Sequence, residues 1–228
     1  GDSKPINPVL HIFCEGEKTE PNYLNGYIGR FHSNNRLLKI IKIEATKKNT
    51  PRELVHEAIN KKILALGSNF NKDVFWVVFD RESVQKYPDI LHAEAHNTAS
   101  EHGIQIALSS VCFEIWLLLH FEFSTKPFCN CDELIKKSKF RVHLQSKGIT
   151  DYEKGDKRIF SELTNDEIMN AKINAGRLKE HNKECSQSDY PYQQNPYTDF
   201  HILLHDIDVF VEKITKPKTK PKIKKEIK

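Results

Sequence analysis

The chain has 228 residues, a formal net charge of +4, and 38% hydrophobic and 29% charged residues, a balance expected of a soluble globular protein with a substantial core. No apolar run approaches the roughly 20 residues of a membrane-spanning helix. The first residues lack the basic and apolar regions of a secretory leader, so a cytoplasmic protein without membrane contact is predicted.

Val9 to Cys14 reads as a first strand, and Thr19 to about His32 as a helix with Pro21 in its first turn. The β-branched stretch 37–45 predicts a second strand. Thr50-Pro51-Arg52-Glu53 has the pattern of a capping box with proline at the first helical position. It opens a helix with Val55, Ile59, Ile63 and Leu66 at helical spacing, and Gly67 stands where a left-handed cap would close it. Residues 73–80, DVFWVVFD, are apolar on both faces and predict a central parallel strand. A helix at 89–102 ending at Gly103 and a strand at 104–108 complete a β-α-β-α-β-α-β order, hence a parallel four-stranded sheet flanked by helices. Beyond Cys112 the pattern turns helical, at about 113–123, 132–138, 165–183 and 199–214. The expected organisation is an α/β core over 1–111, a helical extension over 112–214, and a basic tail over 215–228.

Residues 213–228 carry eight lysines against one glutamate, a charge of +7 that leaves −3 on the rest. Such a segment cannot bury enough apolar surface to fold alone, and it attracts phosphate-rich polymers without reading sequence; a merely solubilising end is the alternative. Five cysteines, an odd number, do not suggest a disulfide framework, so free thiols are expected. Cys129-x-Cys131 lacks the spacer of a structural zinc site, which also weakens a pairing with His181-x3-Cys185.

The chemistry concentrates at the strand ends. In open parallel sheets, ligands bind beyond the carboxyl ends of the strands. Glu15 follows the first strand, Asp80 ends the third with Glu82 two residues on, and Ser109-Ser110 follow the fourth. Clustered carboxylates repel one another unless a cation or shared proton relieves them. Hard oxygen donors of this kind suit Mg2+ or Mn2+ together with substrate phosphates. Lys18 stands at the start of the next helix, where it can meet a phosphate, and Gly16 lets backbone approach a substrate. Glu17 and Glu20 can instead simply favour the helix N-terminus. Glu114 lies inside the apolar run CFEIWLLLHF, and a buried acid is usually paired or metal-bound; Arg81 is a candidate partner. Trp116, Phe121 and His120 read as core. Tyr152 and Lys154 fall in a long loop where they either contact phosphate or face solvent. Asn195-Pro196 marks a turn before the last helix, with Asn195 capping that helix or lining the cleft.

Four segments resemble the RloB/AbiLii-type proteins: CEGEKTEPNYL (14–24), VFWVVFDRE (74–82), SSVCFEIWLLLHF (109–121) and NPYTDFHILL (195–204), with YEK (152–154) as a shorter match. That family is similar to Toprim-fold proteins, which pair a glutamate after strand one with Asp-x-Asp after strand three. The resemblance implies a Toprim-like core and Mg2+-dependent nucleic-acid chemistry on DNA or RNA, tRNA included. It also implies a role in bacterial defence against phage, often beside an ATPase partner. By position the glutamate is Glu15 and the first aspartate Asp80. Glu82 replaces the second aspartate, and Ser109-Ser110-Val111 replaces the family's Ser-Asn-Pro. The resulting expectation is phosphodiester hydrolysis with Glu15, Asp80 and Glu82 as metal ligands. Glu114 would be an outer ligand or proton carrier and Lys18 a transition-state cation. Arg81, Ser109, Lys154 and Asn195 would contact substrate. The rival expectations are a non-catalytic module that binds nucleic acid or a partner, and a phospho-acceptor domain, which would want an acidic pair directly after the first strand.

Overall fold

The computed structural model describes residues 7–67 and 72–216; the lysine-rich stretch beyond 216 lies outside them. Five strands form one sheet: β1 (Leu10–Cys14), β2 (Ile41–Glu44), β3 (Val74–Asp80), β4 (Gln105–Ser110) and β5 (Tyr197–Thr198). Their order is β2-β1-β3-β4-β5. The first four run parallel, and β5 pairs antiparallel with β4 through Ser109↔Thr198 and Ser110↔Tyr197. The architecture is consistent with the expected Toprim-like α/β fold. It has one strand more than predicted, supplied by the segment assigned to the helical extension.

The helices are α1 (Thr19–Phe31), α2 (Asn35–Leu38), α3 (Pro51–Gly67), α4 (Asp89–Glu101), α5 (Glu114–Leu118), α6 (Cys131–Lys137), α7 (Phe140–Ser146), α8 (Arg158–Glu162), α9 (Asn165–Cys185) and α10 (Phe200–Thr215). Strand alternation divides the core between the two faces of the sheet. Leu10, Ile12, Trp76 and Val78 face a large cluster built with α1, α5, α9 and α10. Phe13, Phe75, Val77, Phe79 and Leu108 face a smaller cluster under α3 and α4. Strands β1 and β3 are covered on both sides, which explains their unbroken apolar runs.

Several local expectations need correction. Residues 35–38 form the short helix α2, so β2 is confined to 41–44; the polar Asn35 takes the backbone N–H groups of Ile40 and Ile41 on its side-chain oxygen. Ile63 and Leu66 of α3 are exposed while Val55 and Ile59 are buried, because only the first half of α3 overlies the sheet. Gly67 is the last residue of α3 rather than a residue past its end. At Thr50 the hydroxyl accepts from Glu53 N and donates to the Glu53 carboxylate, which is half of a capping box. A full one starts α9 instead, between Thr164 and Glu167. Gly103 does take the left-handed conformation, φ 62°, after α4.

Candidate functional site

The ends of β1 and β3 meet through a direct bond: the backbone N–H of Asp80 donates to Glu15 Oε2 at 3.0 Å. Glu15 N in turn donates to Val78 O at 2.8 Å, so the ladder carries Glu15 one step past the strand. Asp80 ends β3, and the pairing with β4 continues through Arg81 N to Ser109 O and Glu82 N to Val111 O. Glu82 adopts φ 57°, a left-handed backbone conformation, and pairs with Lys86 at 2.8 Å.

Glu20 joins this group, although the sequence reading leaves it as a helix-end residue. It is buried at 4% exposure in the first turn of α1. The backbone N–H groups of Glu20 itself and of Gly16 favour its charged form. A Cβ placed on Gly16 would lie 2.2 Å from Glu20 Oε2, so glycine makes room for the folded-back acid. The signal was present in the sequence as Glu15-Gly16 followed four residues later by an acid on the next helix.

Glu114 opens α5 and is buried at 1% exposure. Its Oε1 accepts from the Tyr152 hydroxyl at 2.8 Å, and its Oε2 lies 3.1 Å from Cys131 Sγ. The expected ion pair with Arg81 is therefore replaced by a phenol and a sulfur. Tyr152 is buried, so it supports Glu114 rather than facing substrate.

The electrostatics follow from this convergence. Burial, then the Glu20 and Glu82 charges, push the Glu15 carboxyl up to about 7, against the Asp80 N–H and Lys86, which favour its charged form. Glu20 also sits at about 7, raised by burial and by Glu114 and opposed by those two N–H groups and Lys154. Asp80 is raised by burial and by Glu20, Glu114 and Glu15. Lys154 is the counter-charge. Burial pulls its pKa down, but Glu114, Asp80, Glu82 and Glu20 raise it further than that. Lys18 is exposed at the start of α1, with its side-chain stem against Gly155, and Asn22 ties α1 to the Gly155 carbonyl at 3.0 Å. The loop bearing Lys154 is thus packed over the N-terminus of α1.

Oxygen donors dominate the cluster, and Glu15, Glu20, Asp80 and Glu114 are the residues whose chemistry suits a hard divalent cation. Glu82 of the expected trio Glu15, Asp80 and Glu82 is ion-paired with Lys86 while its charge still acts on Glu15; neither that trio nor the set with Glu20 and Glu114 brings three donor atoms within 4.8 Å of one another. Among the described residues, Cys112, Glu114 and Cys131 do place donor atoms within 4.8 Å of one another. However, Cys112 and Cys131 are joined as a disulfide, which removes the thiolates a metal would need. That bond also corrects the expectation of five free thiols; Cys14, Cys129 and Cys185 are free.

Three expected substrate contacts are committed elsewhere. Arg81 is buried, donating to Tyr192 O, Tyr87 O and Asp89. Ser109 is buried with its hydroxyl 3.0 Å from that of Thr198. Asn195 neither caps α10 nor offers a free amide, since it exchanges two hydrogen bonds with the Phe128 backbone. His120 is a core histidine as expected, bonded to Tyr23 at 2.7 Å.

No helix among the described residues is long and apolar enough to cross a membrane. No curated protein matches the chain, and no solved structure matches it. The family described as RloB-like protein matches residues 10–207, which takes in every strand and every carboxylate of the cluster, and the chain belongs to the RloB-like family.

Proposed function

We propose that the protein hydrolyses phosphodiester bonds of a nucleic acid with the help of Mg2+ or Mn2+. The observation that carries this reading is the convergence of Glu15, Glu20, Asp80 and Glu114 at the carboxyl ends of β1 and β3, with Glu15 and Glu20 raised to about 7. Like charges held this closely in a poorly solvated corner call for a cation. A bound divalent ion would polarise a phosphoryl oxygen and offset charge on the leaving oxygen. Glu15, Asp80 and Glu20 would hold it. Glu114, bonded by Tyr152, keeps the site acidic; Lys154, whose charge acts on Glu114, Asp80, Glu82 and Glu20, and Lys18 at the start of α1 would supply charge for a phosphate. No tyrosine is recognisably placed as a nucleophile, which favours water as the attacking group.

Membership of the RloB-like family, together with the resemblance described above, supports a setting in antiviral defence with an ATPase partner. One observation favours the alternative of a binding module: Glu82 is already neutralised by an ion pair with Lys86. The two readings separate on cleavage of a panel of plasmid, single-stranded DNA and total tRNA with Mg2+ or Mn2+, beside Glu15→Gln and Asp80→Asn. Cleavage that both variants abolish supports hydrolysis. Metal-dependent binding without cleavage, with the ATPase present, supports the module.

A further inference from the structure

A cleft of about 450 Å3 opens beside the carboxylate cluster, sharing Glu82, Ser110 and Val111 with the strand ends. Its volume lies within the range of small-molecule sites. Two ion pairs, Arg81 with Asp89 and Lys86 with Glu82, cancel the charges on its wall. Each Arg81 nitrogen already donates one hydrogen bond, to Tyr192 O, Tyr87 O and Asp89, and the side chain is buried. The cleft therefore suits a neutral group better than a phosphate.

What remains available is polar and aromatic. The Gln85 amide has no hydrogen-bond partner among the described residues, and Gln194 spends only its amide nitrogen, on Ser188 O. Tyr192 lines the cleft, beside Phe128, whose side chain is buried in the core. Tyr190, 59% exposed, stacks on Tyr192 at 5.4 Å and 19°, extending the aromatic surface outward. A nucleobase matches each feature: it is neutral, its edge carries donors and acceptors that a glutamine amide can meet, and its face stacks on tyrosine.

We infer that this cleft receives one unstacked base of a single-stranded nucleic acid whose neighbouring phosphate lies at the carboxylates, an inference that rests on the phosphodiester reading above. Cys129 lines the cleft and carries an exposed free thiol, so it reports occupancy directly. The experiment uses the full chain with Cys185→Ser, in Ca2+ to permit binding without turnover, and follows maleimide labelling of Cys129 by mass spectrometry. The probes are an oligothymidylate, the same length of oligouridylate, and an abasic strand of equal length, with binding followed in parallel by anisotropy.

The expected result is that base-bearing strands slow labelling several-fold and abasic strands do not. Tyr190→Ala and Gln85→Ala should each weaken binding of base-bearing strands roughly tenfold while leaving the abasic strand unchanged. If strands bind by anisotropy yet Cys129 labels at the free rate, or if abasic strands protect equally, the base site is overturned and the phosphodiester reading stands. If no strand binds at all, both fall together.

Discussion

Gly16 and Glu20 are complementary: the space a Cβ on residue 16 would fill is taken by Glu20 Oε2, 2.2 Å away. The obstructing atom is the tip of a flexible side chain, so Gly16→Ala should displace Glu20 at a cost below about 1 kcal/mol. If Glu20 helps to hold a cation, the variant should stay folded yet lose most of the rise in Tm that Mg2+ or Mn2+ gives the parent protein. Gly26→Ala is the control, since there the Cβ would meet the core ring of Phe160 at 2.3 Å. It should destabilise by about 1–3 kcal/mol through overpacking and leave the metal response of the remaining folded protein intact. An undiminished metal response in Gly16→Ala would remove Glu20 from the site.

The Glu15 carboxyl illustrates what the cluster costs in stability. Its pKa rises on folding to about 7 from an ordinary value of 4.5, so the folded state binds the proton more tightly. The stability this group lends is complete below about pH 4.5 and is lost as pH climbs through 7. Glu15→Gln removes the charged form, so it should stabilise at pH 8 by about 1–3 kcal/mol, raising Tm by several degrees. The gain should shrink toward zero at pH 5. Thermal melts of the two proteins at both pH values check this, and an equal gain at each would mean that Glu15 is not charge-stressed. In the same protein, cleavage should vanish.

How much of this was legible beforehand divides by range of interaction. The strands with both faces buried, and α1, α3, α4, α9 and α10, follow from runs and periods that local sequence carries. The two-residue β5 does not, because Tyr197 and Thr198 are a strand only by pairing with β4. Glu15 and Asp80 were readable because a strand end fixes where its last side chain goes. Glu20 was ambiguous, since an acid in a first helical turn has a sufficient reason to be there without any site. Ser109 and Asn195 are committed to partners 89 and 67 positions away, and Arg81 to Tyr192, 111 positions away, as well as to the nearby Tyr87 and Asp89; local sequence does not announce the distant ones.

Lys154 opposes the cluster from a loop that the sequence marks by the short match YEK (152–154). Its charge competes with any divalent cation for the same carboxylates, yet it is also suited to a substrate phosphate. Lys154→Gln should therefore tighten cation binding by roughly two- to tenfold at low salt and at the same time slow cleavage. Titrating Mn2+ against Tm, beside initial cleavage rates, reads both effects. A parallel loss of both would show that the residue supports the loop fold instead.

A disulfide joins Cys112, two residues before α5, to Cys131, the first residue of α6, next to the Glu114 carboxylate. Their separation of 19 residues implies a contribution of about 3 kcal/mol from restricting the unfolded chain. Alkylation of denatured, unreduced protein should label the three free cysteines, Cys14, Cys129 and Cys185, and all five after reduction. Cys112→Ser should then lower Tm markedly under oxidising conditions and much less in reductant. The same comparison tests what holds Glu114. With the disulfide closed, Tyr152 is its one hydrogen-bond donor among the described residues, and Tyr152→Phe should impair cleavage more than stability. Five labelled cysteines without reduction would instead make the pair a dithiol. Cys131 would then donate its S–H across the 3.1 Å to Glu114 Oε2, and Tyr152→Phe would cost the site less.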